Sequence, residues 1–107
     1  MIENEIVNKA IGYIYRHMNE SITLDDVCRY CYISKYHFSR LFKKETGESL
    51  YAFIKRVKLE QSAFRMKIEK ERSITDIAEE YGYSASNYSS AFRLQKNVTP
   101  VEYRKIQ

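Results

Sequence analysis

Apolar residues recur at three- and four-residue steps along most of the chain, the spacing of amphipathic helices rather than of strands. The first run is Ile6, Ala10, Ile11, Ile14, Tyr15 and Met18, which predicts a helix over residues 4–19, weakened slightly by Gly12. After a polar break, Thr23 can accept from the first turn of a helix while Asp26 reaches back to it. Ser73 and Asp76 repeat that pair. Short helices are expected behind each cap, over 24–31 and 74–81. Ser34 and Ser84 supply second caps and predict helices over 35–46 and 85–96. These should stop at Gly47 and Asn97, two residue types that tolerate the left-handed conformation past a helix end. Ser49 and Thr99 cap again, with Pro100 at a first helical position, where its missing N–H loses no bond. From Leu50 to about Lys70, the apolar positions Phe53, Ile54, Val57, Ala63, Phe64 and Met66 predict one long helix.

Two stretches of this pattern are the same unit. Without a gap, residues 23–54 read onto residues 73–104 at a constant offset of 50. Thr23, Leu24, Asp26, Val27 and Cys28 fall on Ser73, Ile74, Asp76, Ile77 and Ala78. Ser34, Phe38, Ser39, Phe42, Gly47, Ser49, Leu50 and Phe53 fall on Ser84, Tyr88, Ser89, Phe92, Asn97, Thr99, Pro100 and Tyr103. A duplicated small helical unit on a helical spacer is a candidate reader of a periodic polymer. Each unit is a short helix, a tight turn at Tyr32-Ile33 or Gly82-Tyr83, and a second capped helix: a helix-turn-helix. At a rise of about 1.5 Å per residue, a spacer of about 20 residues spans roughly 30 Å, near the ~34 Å between successive major-groove openings on one side of B-DNA.

Composition narrows the picture without changing it. A chain of 107 residues is about one domain, and with one Pro and three Gly it has little room for turn-rich β architecture, so the fold class is all-α. The net charge of +4 makes a polyanion a plausible partner, and its placement says more. Residues 1–20 sum to −1, residues 21–72 to +5 and residues 73–107 to 0, so the excess lies on the first repeat and the spacer. No apolar run approaches the ~20 residues of a membrane span, and no secretory signal opens the chain, which makes the cytoplasm the expected location.

In a helix-turn-helix, early residues of the second helix meet base edges, and its later residues meet phosphates. The outward positions of the first unit are Lys35, Tyr36, Ser39, Arg40 and Lys43, with Phe38, Leu41 and Phe42 inward. Arg40 can offer a bidentate fork to guanine O6 and N7, Ser39 can donate or accept, and Tyr36 can pack on a thymine methyl or sugar. Lys35, Lys43 and Lys44 suit phosphates. The second unit presents Ala85, Ser86, Asn87, Ser90 and Arg93. Asn87 can read adenine or simply lie on a solvated surface, and Ser86, Ser90 and Arg93 suit backbone contact. Ser90 stands where the first unit has Arg40, so the two readers are expected to be unequal.

Other chemistry has less support. Cys28 and Cys31 are spaced C-x-x-C, but both fall inside an expected helix, Cys28 takes the slot of Ala78, and there is no second pair, so packing is favoured over metal or redox chemistry. His17 and His37 would have to come from different helices to complete a metal site. Ten tyrosines raise the possibility of stacking on single strands, yet Tyr15, Tyr51, Tyr81, Tyr88 and Tyr103 fall where core or core-edge residues are expected. No phosphate loop, H-E-x-x-H or Gly-framed nucleophile appears, so an enzyme is the least supported reading and no cofactor is implied.

The stretch from Ile33 to Leu50 (Ile-Ser-Lys-Tyr-His-Phe-Ser-Arg-Leu-Phe-Lys-Lys-Glu-Thr-Gly-Glu-Ser-Leu), Ile74 to Tyr83 (Ile-Thr-Asp-Ile-Ala-Glu-Glu-Tyr-Gly-Tyr) and Val98 to Arg104 (Val-Thr-Pro-Val-Glu-Tyr-Arg) together resemble the DNA-binding domain of AraC/XylS transcription regulators. Cys28 departs from the Ala common there, and Asn97 from a usual Gly. The resemblance covers nearly the whole chain. It implies one DNA-binding domain over 1–107, with seven helices, a first subunit at about 4–48, a linker helix at about 50–70 and a second subunit at about 73–107. It further implies double-stranded DNA as partner through an asymmetric site, contact with RNA polymerase, and regulation of transcription, often by activation. By the same analogy Tyr36, Ser39 and Arg40, with Ser86, Asn87 and Ser90, take the base-facing positions. Relatives often carry a sensing or dimerising domain, so an effector-binding or dimerisation domain outside this chain is expected, with the chain as a fragment of a longer sensor. The competing class is a helical protein-interaction module that keeps the fold without specific DNA binding.

Overall fold

The computed structural model describes residues 2–106, with the side chains of residues 2–4 left aside. Among the described residues seven helices follow one another: α1 (Ile2–Arg16), α2 (Leu24–Cys31), α3 (Lys35–Thr46), α4 (Leu50–Ile68), α5 (Ile74–Glu80), α6 (Ala85–Lys96) and α7 (Pro100–Lys105). Among the described residues there is no strand, and no helix is long and apolar enough to cross a membrane.

Local chemistry sets the boundaries. Thr23 Oγ1 accepts from the Asp26 N–H at 3.1 Å and Asp26 accepts from the Thr23 N–H at 3.2 Å, closing a capping box on α2. Those hydrogen bonds hold the Asp26 carboxyl below its ordinary pKa. On α5 only the serine half forms, Ser73 accepting from the Asp76 N–H at 3.0 Å. Thr99 and Glu102 close a complete box on α7 with Pro100 inside it, and Glu102 is held low by the same cause. Ser34, Ser84 and Ser49 cap α3, α6 and α4 through single bonds of 3.2, 3.3 and 3.2 Å. Gly47 at φ 81° and Asn97 at φ 66° end α3 and α6 in the left-handed region.

One helix start and three helix ends differ from the periodic reading, α1 beginning at Ile2 rather than 4. α1 ends at Arg16 rather than 19, because the chain turns there while still burying Met18. α4 stops at Ile68 rather than 70, where Arg104 donates to the carbonyls of Met66 and Glu69 at 3.1 and 3.2 Å and so satisfies the helix end. α5 is assigned through Glu80, yet its turn matches that of α2. Ile33 N–H bonds to Cys28 O at 3.1 Å and Tyr83 N–H to Ala78 O at 3.0 Å. The left-handed residue in the second turn is Gly82; in the first it is Tyr32, at φ 55°.

The chain divides into two compact units, Met1–Ile54 and Lys55–Gln107, each with its own core. In the first, Phe42 packs against Phe38 at 5.4 Å and meets Phe53 edge-on at 5.3 Å and 90°. In the second, Phe92 packs against Tyr88 at 5.6 Å and meets Tyr103 edge-on at 5.3 Å and 72°. The division extends the internal repeat. Val7, Ala10 and Ile14 of α1 are buried at the same spacing as Leu59, Ser62 and Met66 of α4, an offset of 52 rather than 50. Residues that tie α1 to α2 and α4 to α5 obey the same offsets with different chemistry. Tyr13 packs on Tyr30 at 4.9 Å, whereas Arg65 pairs with Glu80 at 3.2 Å inside a network with Glu69 and Arg72.

Burial corrects some of the expected core. Phe64 is 64% exposed, and Tyr15 and Tyr51 are about half exposed; Tyr51 keeps its ring at the surface while its hydroxyl accepts from the Leu24 N–H at 3.0 Å. Tyr81 and Tyr88 are buried as expected. Cys28 and Cys31 are buried free thiols whose pKa values burial pushes up, which disfavours the reactive thiolate. Cys31 Sγ lies 3.9 Å from the carbonyl of Ile6 and serves as packing between α2 and α1.

Two consequences for stability can be measured. Tyr88 is wholly buried and its hydroxyl lies 2.7 Å from Ser62 Oγ, which itself donates to Leu59 O at 2.9 Å. Ser62→Ala leaves the buried Tyr88 hydroxyl only the weak Met66 Sδ acceptor at 3.9 Å and should cost about 1–3 kcal/mol, whereas Tyr88→Phe leaves Ser62 its bond to Leu59 O and should cost less. The double variant should cost less than the sum, because Phe38 and Ala10 hold the matching positions without a polar atom; denaturant melts of the four proteins give the coupling, and strict additivity would contradict it. Tyr32 is 90% exposed in a conformation that costs an L-residue about 1–2 kcal/mol, so Tyr32→Gly should raise stability by roughly 1 kcal/mol, read as a higher melting temperature.

Candidate nucleic-acid interface

α3 and α6 are presented alike. Residues 31–42 and 81–92 carry the same burial at every one of their positions, with Phe38, Leu41 and Phe42 inward in one and Tyr88, Ala91 and Phe92 inward in the other. Ser34 and Ser84 start both helices, and the left-handed Gly47 and Asn97 end both. Each outward face follows from this. A helix that buries positions 38, 41 and 42 must expose 35, 36, 39, 40 and 43.

All ten residues expected at the interface are exposed: Lys35, Tyr36, Ser39, Arg40, Lys43 and Lys44 on α3, and Ser86, Asn87, Ser90 and Arg93 on α6. They are not equally free. Lys35 Nζ lies 3.0 Å from Asp25 Oδ1, so this cation is already neutralised; the exposed pair is worth little, and a phosphate can replace the carboxylate. Arg40 Nη1 donates to Tyr36 Oη at 3.0 Å, with its guanidinium carbon 5.5 Å from the Tyr36 ring centre. Lys43 and Lys44 form no ion pair among the described residues.

Two exposed residues escape a periodic reading of the faces, His37 and Ser89. The offset of 50 finds both, since His37 is the counterpart of Asn87 and Ser89 of Ser39. The same offset sets Lys44 against Leu94, an apolar side chain 82% exposed on α6. α3 therefore carries Lys35, Arg40, Lys43 and Lys44 against one acid, Glu45, while α6 carries only Arg93 and Lys96. The first face is the more positive, and it alone offers a guanidinium fork near its start. Such a face suits the major groove of a duplex, where cations meet phosphates and a fork meets a guanine edge.

Among the described residues no cluster of His, Cys, Asp or Glu could hold a metal ion. The Cys pair is a poor donor set on independent grounds, being buried and held as thiols.

Comparison with known proteins agrees with this geometry. A family model described as a helix-turn-helix domain matches residues 27–106. Regulatory protein PocR of Salmonella typhimurium is 36% identical over 100 residues, a match covering 92% of this chain and 33% of PocR. Regulatory protein SoxS of Escherichia coli is 31% identical over 105 residues, covering 97% of both chains. The chain thus spans about a third of PocR and nearly all of SoxS. Among solved structures, the C-terminal domain of AraT, a response regulator from Geobacillus stearothermophilus, is similar with a TM-score of 0.86 and 31% identity, covering 95% of this chain and 85% of that one. On its seven-helix fold, its paired capped helices and these similarities, the chain belongs to the AraC/XylS family of transcription regulators, as a DNA-binding helix-turn-helix domain and not an enzyme.

Proposed function

We propose that the chain reads an asymmetric duplex site with two unequal helices in adjacent major grooves, α3 supplying most of the base discrimination and α6, which has Ser90 in place of Arg40, a smaller share. Tyr36, Ser39 and Arg40 on α3, with Ser86, Asn87 and Ser90 on α6, face bases. Lys35, Lys43, Lys44 and Arg93 face phosphates. One observation carries the reading: the burial of residues 31–42 and 81–92 matches position for position, while the exposed chemistry between them differs. Equal presentation gives both helices the pose of a reader. Unequal side chains give them unequal tasks.

In this reading residues 1–107 act as one DNA-binding domain with two subunits, working in the cytoplasm as an activator that contacts RNA polymerase. The share of PocR left uncovered supports a further proposal, that a sensing or dimerising domain accompanies the chain in the longer protein.

Selection of bound sites from a random duplex pool tests the two-reader arrangement. Two boxes about one helical turn apart are expected, the more stringent one containing a guanine; a single short box would defeat dual engagement. Four phosphate contacts predict a log–log salt slope of about −3.6 in mobility-shift assays at two or more salt concentrations. Absence of any salt-sensitive binding would favour an interaction module instead. Arg40→Ala should lower preference for the selected site over a guanine-substituted one by roughly 5- to 150-fold, the equivalent of one bidentate base contact.

A further inference from the structure

Arg40 does not lie free on the surface of α3. Its Nη1 donates to the Tyr36 hydroxyl at 3.0 Å while its guanidinium carbon lies 5.5 Å from the centre of the same ring, one helical turn earlier. Tyr36 is itself 73% exposed. The contact therefore does nothing for the core, yet it fixes one of the longest side chains on the reading face. α6 has no counterpart, for the matching residues are Ser86 and Ser90.

We propose that Tyr36 is a positioning residue whose ring and hydroxyl hold the Arg40 guanidinium ready for a guanine edge. The inference rests on the reading that Arg40 meets guanine, and adds to it the group that orders Arg40 beforehand. An unrestrained arginine loses most of its rotamer freedom when it docks on a base, and that loss weakens binding. An arginine already tethered loses less. The donor count permits both contacts at once: of five guanidinium N–H groups one is taken by Tyr36, leaving four, and a fork onto O6 and N7 needs two. Residues i and i+4 on a helix face one another, so the tether holds Arg40 along the helix instead of letting it fan sideways toward phosphates. Ring and hydroxyl contribute separately. The ring face attracts the cation, and the hydroxyl fixes the rotation of the guanidinium plane, which decides whether both arms of the fork meet one base.

The test uses the full chain and the duplex recovered by selection, with each guanine replaced in turn by 7-deazaguanine, which lacks the N7 acceptor. The unaltered protein should show one guanine whose replacement weakens binding by about 5-fold or more. Arg40→Ala should be indifferent at that guanine. Tyr36→Phe keeps the ring and loses the hydroxyl, and should retain only part of the sensitivity; Tyr36→Ala should retain less. Both tyrosine variants should keep the melting temperature and the salt slope, since neither a core contact nor a phosphate contact is removed. The double variant Tyr36→Phe with Arg40→Ala should bind as Arg40→Ala alone, because the tyrosine then has nothing to hold.

Tyrosine variants with undiminished sensitivity to 7-deazaguanine, beside an Arg40→Ala protein that has lost it, would overturn the positioning role and leave the arginine reading intact. Sensitivity that rises in Tyr36→Phe would overturn it as well, since the tether would then be restraining Arg40 from the base. An additive double variant would show the Tyr36 hydroxyl acting on DNA independently of Arg40, apart from any packing of the ring on a base, against the proposal. Arg40→Ala retaining full sensitivity at every guanine would overturn both this inference and the reading beneath it.

Discussion

Each second helix owes its roll angle to one buried ring. Phe42 in the first unit and Phe92 in the second are wholly buried and meet an aromatic residue edge-on at 5.3 Å, Phe53 in one case and Tyr103 in the other. A helix turns about 100° per residue, so any roll large enough to bring a neighbouring position outward would withdraw this ring from its partner and open a void. The serine cap at one end and the left-handed residue at the other fix where the helix begins and stops. Between them, cap, ring and stop leave no freedom over which side chains face outward. Everything proposed about DNA depends on that.

Legibility followed the range of the interactions. Caps, stops and the inward triplet of α3 were readable because each is settled within a few residues: Ser34 bonds to the His37 N–H, and Gly47 closes onto Lys43. With start, stop and inward face in hand, all ten residues expected at the interface could be placed on exposed surfaces. Phe64 could not. The buried stripe of α4 runs Leu50, Phe53, Ile54, Val57 and then resumes at Leu59, Ser62, Ala63, Met66, so it changes to the opposite face of the helix. Phe64 prolongs the first stripe, on a face that is no longer inward, and a periodic reading carries straight through the change. Ser62 was invisible for the converse reason: a polar residue looks like surface until the hydroxyl of Tyr88, 26 positions later, is seen to meet it.

The second class of omission concerns side chains that restrain one another. The charge of Lys35 was legible but its pairing with Asp25 was not, and the outward position of Arg40 was legible but not its bond to Tyr36. Such couples depend on rotamers, and residue type with helical phase only says that the partners are within reach. Tyr32 is a different case. The second unit has Gly82 at the matching left-handed position, so the repeat did contain the signal that residue 32 must take an unusual conformation; it was obscured because an aromatic residue there gives no local hint of one.

The two units show how far chemistry can change while presentation does not. Between α1 and α2 the tie is aromatic, Tyr13 on Tyr30; between α4 and α5 it is ionic, Arg65 with Glu80. Phe38 becomes Tyr88 and is matched by a serine in place of Ala10. These exchanges succeed because each is closed by a compensating partner inside its own unit, which leaves the ring contacts of Phe42 and Phe92 undisturbed. On the outward faces no compensation is needed. Arg40 against Ser90, Tyr36 against Ser86 and Lys44 against Leu94 are exchanges between exposed positions, and exposed substitutions away from caps typically change stability by only about 0.5 kcal/mol. The scaffold thus constrains where a reading residue sits and scarcely constrains what it is. A strong reader and a weak one can therefore occupy the same frame.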